Sequence, residues 1–332
     1  MKVATIGTSF ITEWFIKATK LNDGVECVAI HSRNLEKGNA FAKKNGINKV
    51  YCDLDEMLAN PSIDTIYVAS PNSLHFDYSL KAIQAGKNVI CEKPFTTTVK
   101  ELDYLIATAK KYNVFLFEAI VTLHSPNYQM IKENVSRLGT IRCVQCNFSQ
   151  YSSRYDKFLA GEEPNIFTTK FSGGALGDLN IYNLHFVTGI FGRPNHVQYF
   201  ANIADNGIDT SGVLILSYPG FQATCVGCKD SKSQNISQIQ GEKGYITVNS
   251  ETSKCADFSI NINDTSETPA IKQQDIMLYY ELGDFIKIIN NNDHKTCDEL
   301  MEHSHMVMEV LTQARHSANI VFENDNRELS EI

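Results

Sequence analysis

The first third of the chain alternates short apolar runs with amphipathic segments, and this alternation constrains the fold more than any other feature. Apolar runs of this length are typical of parallel strands that are covered on both faces. We predict six strands: Lys2 to Ile6, Val25 to His31, Lys49 to Tyr51, Thr65 to Ala69, Asn88 to Cys91 and Val114 to Glu118. Helical spacing between them, as in Thr98 to Tyr112, predicts an α/β domain with a mostly parallel, doubly wound sheet.

The rhythm changes after Glu118, where longer β runs follow one another with short turns between them. Pro219-Gly220 and Gly241 to Gly244 have the composition of hairpin turns, which predicts a mainly antiparallel sheet in an α+β domain. The predicted strands of this half are 140–151, 196–204, 212–218, 221–228, 237–240 and 245–249. The predicted helices are 126–135, one near 171–190, 275–290 and 297–321, and we expect the polar tail after Phe322 to fray.

A length of 332 residues fits two domains. The change of pattern places them at 1–118 and 119–332. One large domain with an embellishment is the alternative. Hydrophobic residues make up 43% and charged residues 20%, which excludes a disordered or low-complexity chain.

The net charge of −8 argues against nucleic acid or an anionic membrane as a partner. No run of 18 apolar residues occurs, and the N-terminus enters a strand directly, so we expect a cytoplasmic protein. Nine scattered cysteines fit reduced thiols better than a disulfide framework.

Two Cys-x-x-Cys pairs, Cys143/Cys146 and Cys225/Cys228, invite a zinc interpretation. Both lie in predicted strands, where positions i and i+3 point to opposite faces, whereas zinc pairs come from tight knuckles. His303 and His305 are two apart on a predicted helix and cannot chelate one ion together. We therefore predict no metal site.

The first strand runs into Gly7-Thr8-Ser9-Phe10-Ile11 and then a helix, which is where a dinucleotide fold binds pyrophosphate. Only Gly7 of the G-x-G-x-x-G pattern remains, with Ser9 and Thr12 at the other glycine positions. A single glycine after a strand occurs in any α/β protein, so Gly7 to Ile11 is a candidate cofactor loop that needs support from other residues.

The second strand ends at Ser32-Arg33, where an NAD-preferring fold places an acid on the ribose. A hydroxyl and a guanidinium suit a 2′-phosphate, which favours NADP, with NAD possible. A solvated surface arginine is the alternative.

Polar residues also follow the fourth and fifth strands: Ser70, Pro71, Asn72 and His75 after the fourth, and Glu92-Lys93-Pro94 after the fifth. Ligands bind beyond the carboxyl ends of parallel strands, so these residues are candidate cofactor contacts. Lys93, held between an acid and a proline, is a candidate for proton or carbonyl chemistry. A surface lysine beside a turn is the alternative.

In the second half, the glycine-rich segment that begins at Gly173 leads into Asp178, Tyr182 and His185. Their i, i+4, i+7 spacing places the acid, the phenol and the imidazole on one helix face. These three residues are candidate substrate contacts, and a solvated polar face is the alternative.

Taken in order, these motifs resemble the glucose-fructose oxidoreductase/inositol dehydrogenase (Gfo/Idh/MocA) family over residues 1 to about 320. The resemblance is closest to the branch of dimeric dihydrodiol dehydrogenases and NADP-linked sugar dehydrogenases. It implies that 1–118 is an NAD(P)-binding Rossmann domain and that 119–332 is a domain for substrate binding and dimerisation. The second domain would contain a large open antiparallel sheet, whose face often forms a homodimer or a larger homo-oligomer. It further implies that Lys93 is the catalytic, substrate-binding lysine, that Asp178 orients substrate, and that Tyr182 is the acid/base.

The resemblance also implies that Glu92, Pro71, Asn72 and His75 line the nicotinamide and its ribose, and that the Lys93-Pro94 bond is cis. The basic residue expected a few positions after Glu118 is replaced by Leu123 and His124, which makes His124 a candidate substrate contact.

The expected function is NAD(P)-dependent hydride transfer to or from a hydroxyl or carbonyl carbon of a sugar, polyol or dihydrodiol-like small molecule. An NAD-dependent glycosidase with tightly bound cofactor and a non-catalytic nucleotide- or sugar-sensing protein are the alternatives.

Overall fold

The computed structural model describes residues 1–329, which divide into two units. The first unit contains residues 1–119, 274–305 and 327–329, and the second contains residues 120–273 and 306–326. The change of pattern expected after Glu118 therefore falls within one residue of a boundary. The expected second domain, 119–332, is not continuous, because part of its sequence belongs to the first unit.

The first unit is built on a six-stranded sheet in which every neighbouring pair is parallel. Its strands are β1 (Lys2–Ile6), β2 (Glu26–His31), β3 (Lys49–Tyr51), β4 (Thr65–Val68), β5 (Asn88–Glu92) and β6 (Leu116–Ala119). In the order β3-β2-β1-β4-β5-β6, β2 and β3 are added on one side of β1, and β4 to β6 are added on the other side. Ligands of open α/β sheets bind at such a switch in strand order. The predicted α/β fold and all six predicted strands are confirmed, with ends shifted by no more than two residues.

Helices connect these strands: α1 (Phe10–Leu21), α2 (Leu35–Asn45), α3 (Leu54–Leu58), α4 (His75–Gln84) and α5 (Val99–Tyr112). Helix α2 begins where the Asn34 side chain accepts a hydrogen bond from Lys37 N, and it ends at Gly46 with a φ of 74°. Helix α5 begins with the predicted capping box of Thr98 and Glu101. These caps fix the points at which the chain leaves and re-enters the sheet.

The second unit contains an eight-stranded sheet, and α6 (Val121–His124), α7 (Pro126–Asn134), α8 (Tyr155–Leu159) and α9 (Ile181–Phe191). The strands are β7 (Ile141–Ser149), β8 (His196–Ile203), β9 (Asp209–Tyr218), β10 (Phe221–Cys228), β11 (Ile236–Gly241), β12 (Gly244–Val248), β13 (Phe258–Ile262) and β14 (Thr265–Glu267). Their order is β14-β13-β12-β11-β7-β10-β9-β8, and only β7 with β10 is parallel. The mainly antiparallel sheet is confirmed, although β13 and β14 were not predicted.

Helix α9 packs on one face of this sheet. The side chains of Asn180 and Asn183 donate hydrogen bonds to the carbonyl oxygens of Cys225 and Val226 in β10, both at 2.9 Å. A Cβ at Gly227 would lie 2.8 Å from Asn180 Cβ, so a glycine is required for this close approach. The α-helix begins ten residues later than predicted, because residues 171–174 form a turn and Leu176–Asn180 form a π-helical turn.

Residues 274–305 return to the first unit, and they include α10 (Leu278–Asn290) and the start of α11 (His294–Ser317). Phe285 stacks on Phe117 of β6 with ring centroids 4.4 Å apart, and Asn22 donates a hydrogen bond to the Tyr279 carbonyl at 3.1 Å. Within residues 1–329, no helix is long and apolar enough to cross a bilayer.

The expected fraying after Phe322 is wrong for residues 323–327. Arg315 pairs with both carboxylate oxygens of Asp325, and Arg327 pairs with Asp77 and Glu101. Arg315 is 3% exposed, so its charge is compensated within a packed interior. The last three residues, 330–332, lie outside the described part of the chain.

Candidate active site

The loop after β1 has the geometry of an anion-binding turn. Gly7 has a φ of +114°, and a Cβ there would lie 2.4 Å from the Ala69 carbonyl oxygen, so only glycine fits. The Ser9 side chain does not cap α1, because its hydroxyl lies 3.3 Å from the Thr12 hydroxyl instead. The first N–H groups of α1 are thus left without a side-chain cap at the positive end of the helix dipole, which suits a phosphate.

Ser32 and Arg33 follow β2 but have different surroundings. Ser32 is 8% exposed, and its hydroxyl donates to the Asn34 carbonyl at 2.9 Å, so it shapes the turn before α2. Arg33 is exposed. A phosphate at this strand end would therefore meet the Arg33 guanidinium, whereas donation by Ser32 requires its turn hydrogen bond to break.

His75 links the ends of two neighbouring strands. Its Nδ1 lies 2.9 Å from the Pro94 carbonyl oxygen, and its Nε2 lies 3.0 Å from the Ser70 carbonyl oxygen. The ring is 1% exposed, and burial lowers the pKa of His75. This imidazole therefore holds the segment after β4 against the segment after β5, while Pro71 and Asn72 beside it stay partly exposed.

The Glu92-Lys93-Pro94 segment combines a buried acid with an accessible lysine. The Lys93-Pro94 peptide bond is cis, as predicted. Glu92 is 8% exposed and accepts a hydrogen bond from the Tyr67 hydroxyl, and burial raises the pKa of its carboxyl to about 7. Lys93 is partly exposed next to it, at the carboxyl end of β5. The structure thus assigns Glu92 to the interior and leaves Lys93 able to meet a ligand.

Sequence reasoning missed Glu281 in α10. This residue is 2% exposed, and its Oε2 has no hydrogen-bond partner among residues 1–329. Burial and the charges of Glu92 and Glu118 raise the pKa of Glu281 well above its usual value. Its position between Leu278 and Leu282, on the apolar face of an amphipathic helix, is the signal that would have found it.

In the second unit, a buried acid fixes the turn that precedes the predicted polar face. Asp209 Oδ2 accepts hydrogen bonds from Leu176 N at 2.7 Å and from the Tyr199 hydroxyl at 2.8 Å. A Cβ at Gly174, where φ is +101°, would lie 2.0 Å from Asp209 Oδ1. The glycines of this segment thus let the backbone approach Asp209, which anchors the start of the π-helical turn.

Asp178 and Tyr182 project from this turn and from α9, and both are partly exposed. The Asp178 carboxylate accepts a hydrogen bond from the Lys229 ammonium, a second residue that sequence reasoning missed. His185 is different, because it is completely buried. The expectation that all three side chains share an open face is therefore corrected: His185 is an interior residue, and burial does not support direct contact with a substrate.

The remaining candidates and the cysteines have simpler environments. His124 is partly exposed at the end of α6, in the second unit. Cys146 and Cys225 are buried on neighbouring strands, whereas Cys143 and Cys228 are partly exposed, which is the alternation expected of strands. His305 Nε2 lies 2.8 Å from an Asp103 carboxylate oxygen. In the described part of the chain, no cluster of three or more His, Cys, Asp or Glu side chains could hold a metal ion.

Known proteins match both units of the chain. A model described as "Oxidoreductase family, NAD-binding Rossmann fold" matches residues 1–120, and the GFO/IDH/MocA C-terminal domain matches residues 128–247. The scyllo-inositol 2-dehydrogenase (NADP(+)) IolU of Bacillus subtilis is 33% identical over 98% of this chain and 99% of its own length. This chain belongs to the Gfo/Idh/MocA oxidoreductase family.

Other relatives agree with this assignment. A trans-1,2-dihydrobenzene-1,2-diol dehydrogenase of Xenopus tropicalis is 34% identical over 68% of each chain. The crystal structure of KijD10, a 3-ketoreductase from Actinomadura kijaniata in complex with NADP and TDP-benzene, has a TM-score of 0.82 at 21% identity. The match covers 96% of this chain and 97% of KijD10, and it shows a shared fold. The expected family, Rossmann domain and oxidoreductase class are confirmed.

Proposed function

We propose that this oxidoreductase uses NADP in preference to NAD and oxidises or reduces a hydroxyl or carbonyl carbon of a sugar, polyol or dihydrodiol-like molecule. The observation that carries the proposal is the set of strand ends in the first unit. There, an uncapped helix follows Gly7, an exposed Arg33 follows β2, and a partly exposed Lys93 follows β5. The relatives named for inositol and dihydrodiol oxidation support the substrate class.

The residues present fit a nicotinamide dinucleotide. The N–H groups at the start of α1 suit the pyrophosphate, and the Arg33 guanidinium suits a 2′-phosphate. Pro71, Asn72 and Lys93, all partly exposed, would meet the nicotinamide end, held in place by buried His75 and Glu92. When bound, the cofactor supplies or accepts the hydride, and the protein provides orientation and a path for the proton.

We assign the proton transfer to Tyr182 and the orientation of substrate to Lys93 and Asp178. Tyr182 is partly exposed, so its phenol can exchange a proton with a substrate oxygen. The Asp178 carboxylate can accept a hydrogen bond from a second hydroxyl of the substrate, and the Lys93 ammonium can donate one to the reacting oxygen. His124 remains a proposed substrate contact.

The test is a screen of purified protein with NADP⁺ and NAD⁺ against inositols, aldoses and dihydrodiols. Turnover is measured as the absorbance of the reduced nicotinamide that forms. The variant Tyr182→Phe should keep nucleotide affinity and lose turnover by about 10²-fold or more, as expected when a positioned acid/base is removed. Tyr245→Phe, an exposed phenol on β12, is the matched control and should be neutral. Absence of nucleotide binding would contradict the proposed cofactor. Turnover unchanged by Tyr182→Phe would contradict the acid/base role of Tyr182.

We also propose that the chain forms a homodimer through the open face of its eight-stranded sheet. Val213, Ile215 and Val226 are partly exposed, and Val226 pairs with Val213 across β9 and β10, so an apolar strip lies on this face. Sedimentation equilibrium should give twice the monomer mass, and Ile215→Glu should shift the protein to monomer. A monomeric wild type would refute the proposal.

The proposed compartment is the cytoplasm. Nine cysteines are free, six of them buried and Cys52 exposed, which fits a reducing environment. Cell fractionation with an antibody against the chain would test it, and recovery in an exported fraction would contradict it.

A further inference from the structure

A buried lysine lies behind the candidate substrate-binding carboxylate in the second unit. Lys229 directly follows β10, its side chain is 3% exposed, and its Nζ donates a hydrogen bond to Asp178 Oδ2. The Asp178 side chain is 30% exposed. The lysine is therefore covered by protein, while the carboxylate that it binds still reaches the surface.

The backbone around Lys229 is held from two sides. Its N–H donates to the Thr210 carbonyl at 2.8 Å, and its own carbonyl accepts from Ser152 N at 2.8 Å. A lysine on a flexible surface segment would lack both bonds. Lys229 thus presents its side chain to Asp178 from a fixed position.

A buried ammonium ion needs a compensating anion, because its desolvation is costly. Burial raises the pKa of Asp209, and the Lys229 charge acts against that rise. The Asp209 Oδ2 atom, however, already accepts hydrogen bonds from Leu176 N and the Tyr199 hydroxyl. The Phe167 ring adds a cation–π contact at 5.6 Å. Asp178 is the carboxylate that accepts a hydrogen bond from Lys229 directly.

We infer that Lys229 is a positioning residue: it fixes the Asp178 carboxylate for hydrogen bonds from substrate hydroxyl groups. This inference rests on the proposed function. An ionised Asp178 accepts hydrogen bonds and donates none, so it selects a substrate with a hydroxyl at that point.

A purely structural ion pair is the competing explanation, and a double-mutant cycle separates the two. The set is Lys229→Met, Asp178→Asn, both together, and Lys229→Arg, each assayed with a saturating nicotinamide nucleotide and a polyol that the wild type oxidises. Lys232→Met, an exposed lysine three residues away, is the matched control.

If Lys229 acts through Asp178, Lys229→Met should lower kcat/KM for the polyol by about 10- to 100-fold, mainly through KM, with nucleotide Kd unchanged. The kcat/KM of the double variant should be no lower than that of the less active single variant, because the effects are not additive within one interacting pair. Lys229→Arg should recover most of the loss, since it keeps the charge.

Several results would overturn the inference. They are wild-type KM in Lys229→Met, a loss in the double variant equal to the product of the single losses, or no recovery in Lys229→Arg. If Lys229→Met fails to fold, the double variant removes both charges and provides the comparison with Asp178→Asn. A wild type that turns over no sugar, polyol or diol would refute the proposed function itself, whereas an active wild type with normal Lys229→Met kinetics refutes only the role of Lys229.

Discussion

Glu92 should make the stability of the protein fall as pH rises, and Glu92→Gln should remove that effect. Burial raises the pKa of this carboxyl from 4.5 to about 7, against the lowering effects of the Tyr67 hydroxyl and the Lys93 charge. Between these two values the folded protein binds more protons at this site than the unfolded chain does. Folding stability contributed by Glu92 is therefore fully present below pH 4.5 and is lost as pH rises to about 7.

The size of the effect follows from the same pKa. A rise from 4.5 to about 7 corresponds to about 3 kcal/mol between the protonated and ionised forms. Urea unfolding of wild type and Glu92→Gln between pH 4.5 and 8 measures it. The free energy of unfolding of the wild type, minus that of the variant, should decrease by up to about 3 kcal/mol across this range and then level off.

The test uses the difference in unfolding free energy between wild type and Glu92→Gln, because burial also raises the pKa values of Glu281 and Asp209. These two groups add their own pH dependence to both proteins, and it cancels in the difference. Glu56→Gln, at a carboxylate 65% exposed, is the control and should leave the pH dependence unchanged. A difference that stays constant from pH 4.5 to 8, or that increases with pH, would refute an interior, high-pKa Glu92.

Three further substitutions test the cofactor site. Arg33→Ala should weaken NADP binding by about 10- to 150-fold, which corresponds to the loss of one charge-assisted hydrogen bond, and should leave NAD affinity unchanged. Titration calorimetry with both nucleotides measures the two affinities, and an equal loss of affinity for NADP and NAD would contradict the prediction. Lys93→Met should keep nucleotide affinity while turnover falls by about 10²- to 10⁴-fold, the range for positioned acid–base assistance; rapid-mixing and steady-state rates check this, and undiminished turnover would remove Lys93 from the mechanism. Gly7→Ala should lower both the melting temperature and nucleotide affinity, because its Cβ would lie 2.4 Å from the Ala69 carbonyl oxygen; calorimetry again decides, and wild-type affinity would show that the loop can adjust.

The first sheet was predictable because β1, β4, β5 and β6 are buried at nearly every position and therefore have apolar sequences of their own. Strand β13 (Phe258–Ile262) was missed although its apolar and polar residues alternate. Strand β14 (Thr265–Glu267) escaped prediction because it is exposed at all three positions and has no apolar pattern. An edge strand of this kind is specified by its neighbour's hydrogen bonds and not by its own side chains. Helix α3 was not predicted because its five residues are too few to show a helical period.

The helical nature of residues 278–290 was also predictable, but their place in the fold was not. An amphipathic pattern shows that one face is buried without showing what covers it. The partners, Asn22 and Phe117, lie more than 150 residues earlier in the chain, and no local signal connects them. For the same reason Lys229 was missed, since its partner Asp178 lies 51 residues away.

Burial separates the predicted site residues into two groups that look alike in sequence. Ser32, His75 and Glu92 are buried, and their polar atoms bond to a backbone carbonyl or to an interior hydroxyl. Arg33 and Lys93, each directly next to a member of the first group, keep exposed surface.

The ends of β2 and β5 thus each combine a buried polar residue with a neighbour that can meet a ligand. Both must be polar, because a strand end has unpaired backbone groups and a ligand site needs donors and acceptors. A motif such as Glu92-Lys93-Pro94 therefore identifies the location of the site, whereas the division of roles within it follows only from which side chain is buried. Lys229 and Asp178 repeat this arrangement in the second unit, with a buried residue holding a partly exposed one.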